Sequence, residues 1–378
     1  MSDRIDQINN PSRIVVKIGT NVLIDDSGQL DLALIESLVS DIASIHKQGI
    51  EVVIVTSGAI AFGANMLGID MENQDVRSKQ ALAAVGQSRL MHAYEQIFET
   101  HNIVVAQALI SRSDIIDREG YLNVRNTLVT LMDFNTVPII NENDVVALEE
   151  IGVKVFGDND NLSSMVSNLI DADLLILLSD IDGLHTMDPH QHPDAELVLE
   201  VDTIDESIEA MAGVSHSSRS RGGMQAKLDA IKLATASGIA VVLVNGRNQS
   251  VLSAVLAGKN VGTFFRPSST KMESRKRWML SGLSNDCKIV VDFGAANALL
   301  QGKSSLLPAG IREVVGVCKR GEIISIENMD GKPIACGITG YDSEDISAIK
   351  GLHSDGILKI LGYYYGEEII HRNNMVLL

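Results

Sequence analysis

Residues 136–170 read TVPIINENDVVALEEIGVKVFGDNDNLSSMVSNLI, a stretch that contains two clusters of carboxylates and carboxamides. The apolar run 136–140 predicts a buried strand, and the apolar-rich run 162–170 predicts a helix. The cluster 141–144 therefore falls at a strand end, and the cluster 157–161 falls at a helix start. Ligands of open α/β sheets bind at such edges, and Asn and Asp side chains suit a small polar ligand such as an amino acid. Two Asx-rich turns and a helix N-cap would give the same spacing, so this stretch alone leaves both interpretations open.

Apolar strands and amphipathic helices alternate outward from this stretch, between residues 13 and 245. This alternation predicts an α/β fold with a mostly parallel central sheet and helices on both faces. We assign the α/β domain to residues 1–258 and a linker to 259–285. Short β-like runs punctuated by Gly and Pro predict a small, barrel-like β domain at 286–378.

The sequence also predicts the structure of three particular regions. The region 76–100 is predicted to be a long helix, or a pair of helices, broken near Gly86. The run 239–244 is predicted to be the last strand of the first domain. The region 246–285 is predicted to be looped and to pack on that domain.

Candidate anion sites occur at three turns. Lys17 is the one charge inside the apolar strand 13–18 and precedes Gly19, so we expect it to face an anion across the strand end. Ser57-Gly58 follows the strand 51–56 and precedes a helix, although a plain N-cap would also explain this serine. Gly222-Gly223 opens a helix that carries Lys227 one turn later, an arrangement that can hold phosphates. The pattern GxxxxGK[ST] is absent, which excludes a P-loop enzyme.

The composition indicates a folded globular protein. The 378 residues are 45% hydrophobic, with a mean hydropathy of +0.14. No apolar run approaches the roughly 18–20 residues of a membrane span, and the first residues lack the plan of a signal peptide, so we expect a cytoplasmic protein with no membrane partner. The net charge of −18 opposes non-specific binding of nucleic acid.

The cysteines and histidines show no metal-ligand spacing. Cys287, Cys318 and Cys336 are widely separated, so we expect buried apolar cysteines rather than a disulfide framework or a zinc site. His190 and His192 lie in a loop rich in Pro and Asp and are expected to be solvated. No resident metal site is predicted.

Six motifs follow one another along the chain: Val16-Lys17-Ile18-Gly19, Val55-Thr56-Ser57-Gly58-Ala59-Ile60, Ala83-Ala84-Val85-Gly86-Gln87, Asn141-Glu142-Asn143-Asp144, Gly157-Asp158-Asn159-Asp160-Asn161, and Gly222-Gly223-Met224 with Lys227. Together they closely resemble the glutamate 5-kinases of the amino-acid kinase family. The fourth and fifth motifs are the specific part of this resemblance. The C-terminal region, with Ser304 to Ile311 and Arg320-Gly321-Glu322, resembles a PUA domain.

The resemblance implies a reaction and a set of site residues. The reaction is the ATP-dependent phosphorylation of the side-chain carboxylate of L-glutamate, the first step of proline biosynthesis, with Mg²⁺ bound to the nucleotide. The implied catalytic residues are Lys17, Asp160 and Lys227, in which both lysines contact phosphates and Asp160 positions them. The implied glutamate-binding residues are Ser57, Gly58, Asp144 and Asn159. The implied ATP-binding residues are Lys17, Ser179, Asp180, Arg221, Gly222, Gly223, Met224, Gln225, Ala226 and Lys227.

The resemblance also implies feedback inhibition by L-proline and a homo-oligomer, either a dimer or a tetramer. The sequence departs from the family pattern at two positions of the nucleotide loop: Arg221 and Ala226 stand where the family commonly has Thr. The segment between Asp144 and Gly157 is also a few residues longer than usual.

Three other functions are compatible with parts of the sequence. Another amino-acid kinase, acting on acetylglutamate, aspartate or a nucleoside monophosphate, would share several motifs. RNA binding is the alternative of a different class, because PUA domains often bind RNA. However, residues 285–378 carry 9 Lys+Arg against 12 Asp+Glu, which opposes RNA binding and leaves the basic stretch 266–277 as the candidate surface. A catalytically silent regulator is the third alternative, and the presence of Lys17, Asp160 and Lys227 argues against it.

Overall fold

The computed structural model describes residues 8, 10–25, 28–71, 74–146, 159–189, 191–212, 223–302 and 304–378. The chain divides into two compact units, each of which combines two separate stretches of sequence. The first unit comprises residues 1–115 and 124–271, and the second comprises residues 116–123 and 272–378.

The first unit is built on one sheet. Its described strands are Arg13–Ile18 (β1), Glu51–Val55 (β2), Val105–Ile110 (β3), Val137–Glu142 (β4), Leu174–Ser179 (β5), Glu200–Val201 (β6), Ala240–Asn245 (β7) and Thr263–Phe265 (β8). They lie in the order β3-β4-β2-β1-β5-β7-β8-β6. Among these described strands every pairing is parallel except that of β7 with β8. The predicted α/β fold with a mostly parallel sheet is confirmed.

Helices connect these strands. In chain order they are Thr20–Leu23 (α1), Leu32–Lys47 (α2), Ala59–Leu67 (α3), Val76–Glu99 (α4), Arg112–Ile116 (α5), Arg118–Asp133 (α6), Asn159–Leu169 (α7), Glu206–Met211 (α8), Met224–Ala236 (α9) and Val251–Leu256 (α10). Ile14, Val16 and Ile18 of β1 belong to a buried apolar cluster that also contains residues of α2, α4 and α10. Val15, on the opposite face of β1, is buried as well, so both faces of the central strands are covered.

The strand order reverses at β1. The chain forms β2, β3 and β4 on one side of β1 and then crosses to form β5 on the other side. The carboxyl ends of β2, β1 and β5 consequently lie side by side, which is where ligands bind in open α/β sheets.

Helix α4 continues through Gly86, so the predicted break at this residue is wrong. A Cβ atom on Gly86 would lie 1.9 Å from the backbone oxygen of Ala59, and a Cβ atom on Gly63 would lie 1.9 Å from that of Leu82. These glycines therefore permit the close crossing of α3 and α4, and the requirement for glycine comes from packing rather than from a turn.

The first sheet does not end at residue 244, contrary to our prediction. Strand β8 pairs antiparallel with β7, and its Phe264 and Phe265 are fully buried. The region 246–285 contains α10, β8 and a further helix instead of a loop, and the predicted linker 259–285 divides between the two units. A strand of three residues is too short to show a period-2 pattern, which explains why the sequence did not reveal it.

The second unit has its own five-stranded sheet. Its strands are Leu283–Val291 (β9), Ile311–Gly316 (β10), Ile323–Glu327 (β11), Pro333–Ile338 (β12) and Met375–Leu377 (β13), in the order β10-β9-β11-β12-β13. Its helices are Lys271–Ser281 (α11), Phe293–Leu300 (α12), Ser343–Ile349 (α13) and Ile357–Leu361 (α14), of which α11 begins at the last residue of the first unit. The structure therefore has the separate C-terminal β-sheet that we predicted.

The short stretch 116–123 is held within the second unit by apolar and polar contacts. Leu122 is 2% exposed and belongs to a cluster with Met279 and Ile323. The rings of Tyr121 and Trp278 have centroids 5.3 Å apart. The first six residues of α6 thus supply part of the core of the second unit. The other residues of that unit begin 149 positions later, at Met272.

Two of the three cysteines are paired, which we did not predict. Cys287 forms a disulfide with Cys318, and their Cα atoms are 5.6 Å apart. Cys336 is free and buried. The sequence separation of 31 positions between the paired cysteines carries no signal for a bond. None of the described helices is long and apolar enough to cross a membrane.

Candidate active site

Two lysines share one buried carboxylate at the carboxyl edge of the first sheet. Lys17 Nζ lies 2.5 Å from Asp160 Oδ1, and Lys227 Nζ lies 3.2 Å from Asp160 Oδ2. Lys17 belongs to β1, Asp160 to the first turn of α7 and Lys227 to the first turn of α9. The fold thus brings together three residues that are 143 and 67 positions apart, the three that we predicted to be catalytic.

The carboxylate of this cluster stays ionised although it is buried. Asp160 is 2% exposed, and burial alone would raise the pKa of its carboxyl group. The charges of Lys17 and Lys227 and their hydrogen bonds outweigh burial and hold the pKa of Asp160 below its usual value. The cluster contains two cations and one anion, so it retains a positive charge toward an approaching anionic group.

The turn after β1 follows Lys17 closely along the chain. The backbone N–H of Gly19 donates to the backbone oxygen of Leu178 at 3.2 Å, and α1 begins at the next residue. Asn21 Nδ2, in α1, donates to Asp180 Oδ2 at 2.8 Å. This contact joins the end of β1 to the end of the neighbouring strand β5.

Ser57 and Gly58 link the end of β2 to the start of α3. Ser57 Oγ donates to the backbone oxygen of Ile18 at 2.7 Å, so the serine ties β2 to β1. Gly58 is the N-cap of α3 and has a φ of +92°, a conformation that side chains disfavour. Helix α3 presents its N-terminal N–H groups at this edge, where they can bind an anionic group.

A chain of buried carboxamides forms one wall of the site. Asn159 Nδ2 donates to the backbone oxygen of Thr56 at 2.8 Å and to Asn141 Oδ1 at 3.0 Å. Asn141 Nδ2 in turn donates to Gln87 Oε1 at 2.7 Å. The chain connects the ends of β2 and β4 with the start of α7 and the middle of α4.

Asp144 lies just beyond β4 and is 9% exposed. Among the described residues no side chain or backbone group forms a hydrogen bond or ion pair with its carboxylate. Burial raises the pKa of Asp144 to about 6. A cation that enters the site can therefore form an ion pair with the carboxylate of Asp144.

Apart from Lys17 on β1, the residues predicted to bind ATP occupy two places. Ser179 ends β5, and its Oγ donates to Asp180 Oδ1 at 3.1 Å. Burial would raise the pKa of Asp180, but the hydrogen bonds from Asn21 and other groups keep it below its usual value. The remaining predicted residues that the structure describes form the start of α9: Gly223 as N-cap, then Met224, Gln225, Ala226 and Lys227. Arg221, Gly222, Gly157 and Asp158 lie outside the described residues.

Our sequence analysis assigned no role to Gln87, Asn141 or Arg247, although the first two stood in quoted motifs. Arg247 follows β7, and its guanidinium donates to the backbone oxygens of Asn21 and Ile24 at 2.9 and 3.0 Å. It therefore holds both ends of the α1 turn beside Asp180. An arginine in a polar loop carries no pattern that distinguishes this role from solvation. Within the described residues no three His, Cys, Asp or Glu side chains come together as metal ligands.

Two family descriptions match this chain. The amino acid kinase family matches residues 12–245, and the PUA domain matches residues 287–361. Glutamate 5-kinase from Dehalococcoides mccartyi (strain CBDB1) is 48% identical over 366 residues, which cover 97% of this chain and 98% of the relative. Glutamate 5-kinase from Herpetosiphon aurantiacus is 47% identical over 364 residues, 96% of this chain and 98% of the relative. The crystal structure of UMP kinase from Bacillus anthracis covers 69% of this chain and 98% of its own, with a TM-score of 0.49 and 18% identity.

Proposed function

Because this chain belongs to the amino acid kinase family and, within it, to the glutamate 5-kinases, we propose that it transfers the γ-phosphoryl group of ATP to the side-chain carboxylate of L-glutamate. The product, L-glutamyl 5-phosphate, is the first intermediate of proline biosynthesis. The single observation that carries the proposal for the site is the buried cluster in which Asp160 pairs with both Lys17 and Lys227.

The chemistry of this reaction requires charge neutralisation more than proton transfer. The side-chain carboxylate of glutamate has an ordinary pKa near ~4.3, so at neutral pH it attacks as an anion and needs no general base. An anion that approaches the anionic phosphates of ATP is repelled unless cations and N–H donors neutralise the transferring oxygens. In the proposed site the two lysines supply these cations, and the N-terminus of α3 supplies N–H donors.

Asp160 acts as a positioning residue in this mechanism. Its two oxygens each pair with a different lysine, so a single carboxylate sets the separation of the two ammonium groups. Its pKa is depressed, so it remains an anion and does not take up the proton of any reacting group. Because both lysines pair with Asp160, their ammonium groups are aligned together on the γ-phosphoryl group.

The amino-acid end of glutamate is placed in the pocket lined by Asp144 and Asn159. Asp144 pairs with the substrate ammonium group, which explains the burial of a carboxylate without a described partner. Asn159 accepts from the same ammonium group, and Ser57 and Gly58 lie at the adjoining end of β2. The side-chain carboxylate then extends toward Lys17 and Lys227.

ATP is placed along the ends of β5 and α9. Ser179 and Asp180 lie at one end, and residues 223–227 lie at the other, where Lys227 can reach the phosphates. Mg²⁺ bound with the nucleotide would supply further positive charge to the phosphates, as kinases generally require. By family resemblance we also assign to the nucleotide Arg221, which replaces the Thr common in the family, and Gly222, although both lie outside the described residues.

We further propose a cytoplasmic homo-oligomer, a dimer or a tetramer, that L-proline inhibits through the glutamate site. Proline shares the ammonium and carboxylate groups of glutamate but lacks a side-chain carboxylate, so it can occupy the amino-acid end alone. The excess of carboxylates over cations in residues 285–378 opposes RNA binding by the PUA domain.

The reaction can be tested by trapping its acyl phosphate product with hydroxylamine. We expect ATP- and Mg²⁺-dependent hydroxamate formation with L-glutamate and at most a few per cent of that signal with N-acetylglutamate or L-aspartate. The variant Lys227→Ala should lose about 10²-fold in kcat, because one of the two cations at the transferring group is missing. Hydroxamate from aspartate alone, or from none of the three acceptors, would refute the proposal.

The rate should depend on pH through Asp144. Only the ionised carboxylate can pair with the substrate ammonium group, and the pKa of Asp144 in the free protein is about 6. As the pH falls below 6, kcat/KM for glutamate should therefore fall by about tenfold per pH unit, while kcat changes less because bound substrate keeps Asp144 ionised. Initial rates between pH 5 and pH 8 at limiting and saturating glutamate would show this difference.

The variant Asp144→Asn provides the control for this assignment. It should raise KM for glutamate by about 10²-fold and abolish the acidic limb near pH 6. The exposed substitution Glu95→Gln on α4, where the glutamate side chain is 71% exposed, should leave both quantities unchanged. An acidic limb that persists in Asp144→Asn would assign the titration to another group.

A further inference from the structure

Gln87 is a buried side chain with one unsatisfied hydrogen-bond donor. It lies in the middle of α4 and is 8% exposed, and its Oε1 accepts from Asn141 Nδ2 at 2.7 Å. Its Nε2 is fully buried and has no partner among the described residues. Burial of an amide donor without a partner is unfavourable, so the position of Nε2 calls for a ligand that accepts a hydrogen bond.

Two backbone groups fix which atom of Gln87 is left free. The backbone oxygen of Thr56 can only accept, so the Asn159 atom beside it must be the donor Nδ2. The backbone N–H of Glu142 can only donate, and it donates to Asn141 Oδ1 at 2.9 Å. Asn141 Nδ2 therefore faces Gln87, which must present Oε1 to it. The orientation of the three amides follows from these contacts, and the two atoms left without a partner among the described residues are Gln87 Nε2 and Asn159 Oδ1.

The network thus offers a ligand one donor and one acceptor, and a nearby carboxylate adds charge. Asn159 precedes Asp160, so the acceptor end of the network adjoins the lysine cluster. Gln87 is separated from Asn159 by Asn141, so the donor lies at the other end of the network. Asp144, at the end of β4, provides a buried carboxylate for a cation.

Each polar group of L-glutamate then finds one kind of partner, given the function proposed above. The reacting side-chain carboxylate must lie at the lysine cluster, and the ammonium group requires the acceptors Asp144 and Asn159 Oδ1. The α-carboxylate remains, and it requires a donor away from the lysines. We infer that Gln87 is a specificity-determining residue that donates from Nε2 to the α-carboxylate of the substrate.

The surroundings of Gln87 hold its side chain in place. Gly86, the preceding residue, lies at the close crossing of α3 and α4. Tyr94, two turns farther along α4, places its hydroxyl 3.0 Å from Thr56 Oγ1 at the end of β2. Because Gln87 and Tyr94 project from the same face, α4 is anchored to two strand ends.

The test is the substitution Gln87→Glu, which replaces the donor Nε2 with an acceptor oxygen in a side chain of the same shape. In Gln87→Glu one carboxylate oxygen still accepts from Asn141, while the other replaces Nε2. We expect KM for L-glutamate to rise at least about 30-fold, since two carboxylates then face each other, and KM for ATP to change less than about twofold. L-Isoglutamine, in which a carboxamide replaces the α-carboxylate and the side-chain carboxylate is intact, should be affected much less, because its amide can donate to Glu at this position.

The decisive readout is the ratio of kcat/KM for L-glutamate to kcat/KM for L-isoglutamine, measured by hydroxamate formation. Gln87→Glu should lower this ratio about 30-fold relative to the original protein. The substitution Gln96→Glu, at an exposed glutamine of the same helix, should leave the ratio unchanged. The variant Gln87→Met, which introduces no charge, should lower the ratio toward unity if Gln87→Glu does not yield folded protein.

An unchanged ratio in Gln87→Glu and Gln87→Met would overturn the inference without touching the proposed function, whether neither acceptor is affected or both lose equally. An equal loss would show that Gln87 only supports the fold. Failure of the proposed function would instead appear as absent hydroxamate from L-glutamate in the unsubstituted protein. Stabilisation of each variant by ADP against thermal unfolding would confirm that its nucleotide site has formed.

Discussion

Replacing Asp160 with Asn should lower kcat for phosphoryl transfer by about 10³-fold while leaving the affinity for nucleotide intact or increased. Asp160 is the common partner of Lys17 and Lys227, so its neutral variant no longer fixes the separation of the two ammonium groups. Misplacement of charged groups by about 1 Å is enough to cost roughly 10² in rate, and here both cations are affected. Both lysines keep their positive charge in this variant and can still pair with phosphates, which is why binding should not weaken.

The measurement separates kcat from the nucleotide dissociation constant. Steady-state hydroxamate formation gives kcat, and calorimetric titration with ADP gives the affinity. Asp173→Asn is a suitable control, because this aspartate is partly buried and pairs with Lys271. A decrease of less than about tenfold in kcat for Asp160→Asn, or an equal decrease for Asp173→Asn, would contradict the positioning role.

Replacing Gly86 with Ala should reduce the free energy of unfolding of the first unit by about 3 kcal/mol and raise KM for glutamate. The added Cβ atom would lie 1.9 Å from the backbone oxygen of Ala59 and 2.7 Å from the backbone nitrogen of Gly63. Both contacts are with backbone, so α3 and α4 can relieve them only by moving apart. That movement displaces the N-terminus of α3 and Gln87 together, which is why activity should change along with stability.

Urea unfolding followed by circular dichroism would measure this loss. The matched control is Gly294→Ala in α12, where the nearest atom to the added Cβ is Asp292 Oδ1 at 3.4 Å and the residue is exposed. There the gain in helix propensity, about 1 kcal/mol, should make the change neutral or slightly stabilising. A Gly86→Ala variant as stable as the original protein would show that the two helices can separate without cost.

The cluster of Lys17, Asp160 and Lys227 was partly accessible from sequence, because its two lysines break local patterns. A lysine inside an apolar strand and a lysine one turn after Gly-Gly are each unusual in their segment, whereas an acidic residue at a helix start is common, and the role of Asp160 was implied by the family resemblance. The alternation of strands and helices predicted the sheet, because buried parallel strands and amphipathic helices have different periods. The roles of individual site residues remain predictions that the experiments above can test.

The residues that escaped the sequence analysis are those whose role depends on distant partners. Gln87 resembles any other helical glutamine until the end of β4, 54 residues away along the chain, places Asn141 beside it. Gly86 suggested a helix break because local rules cannot show that another helix crosses there. Strand β8 and the Cys287–Cys318 pair are likewise defined by tertiary contacts and leave no local signal.

The discontinuity of the second unit has a consequence for synthesis on the ribosome. Residues 116–123 emerge about 150 residues before the partners that cover Leu122 and Tyr121, an interval of roughly 10–30 s at the usual rates of translation. The rest of the first unit, residues 124–271, is synthesised during that interval, while the start of α6 waits with an apolar side chain uncovered. A chain truncated after Lys271 would keep this apolar surface permanently uncovered, so the two units are best produced as a single polypeptide.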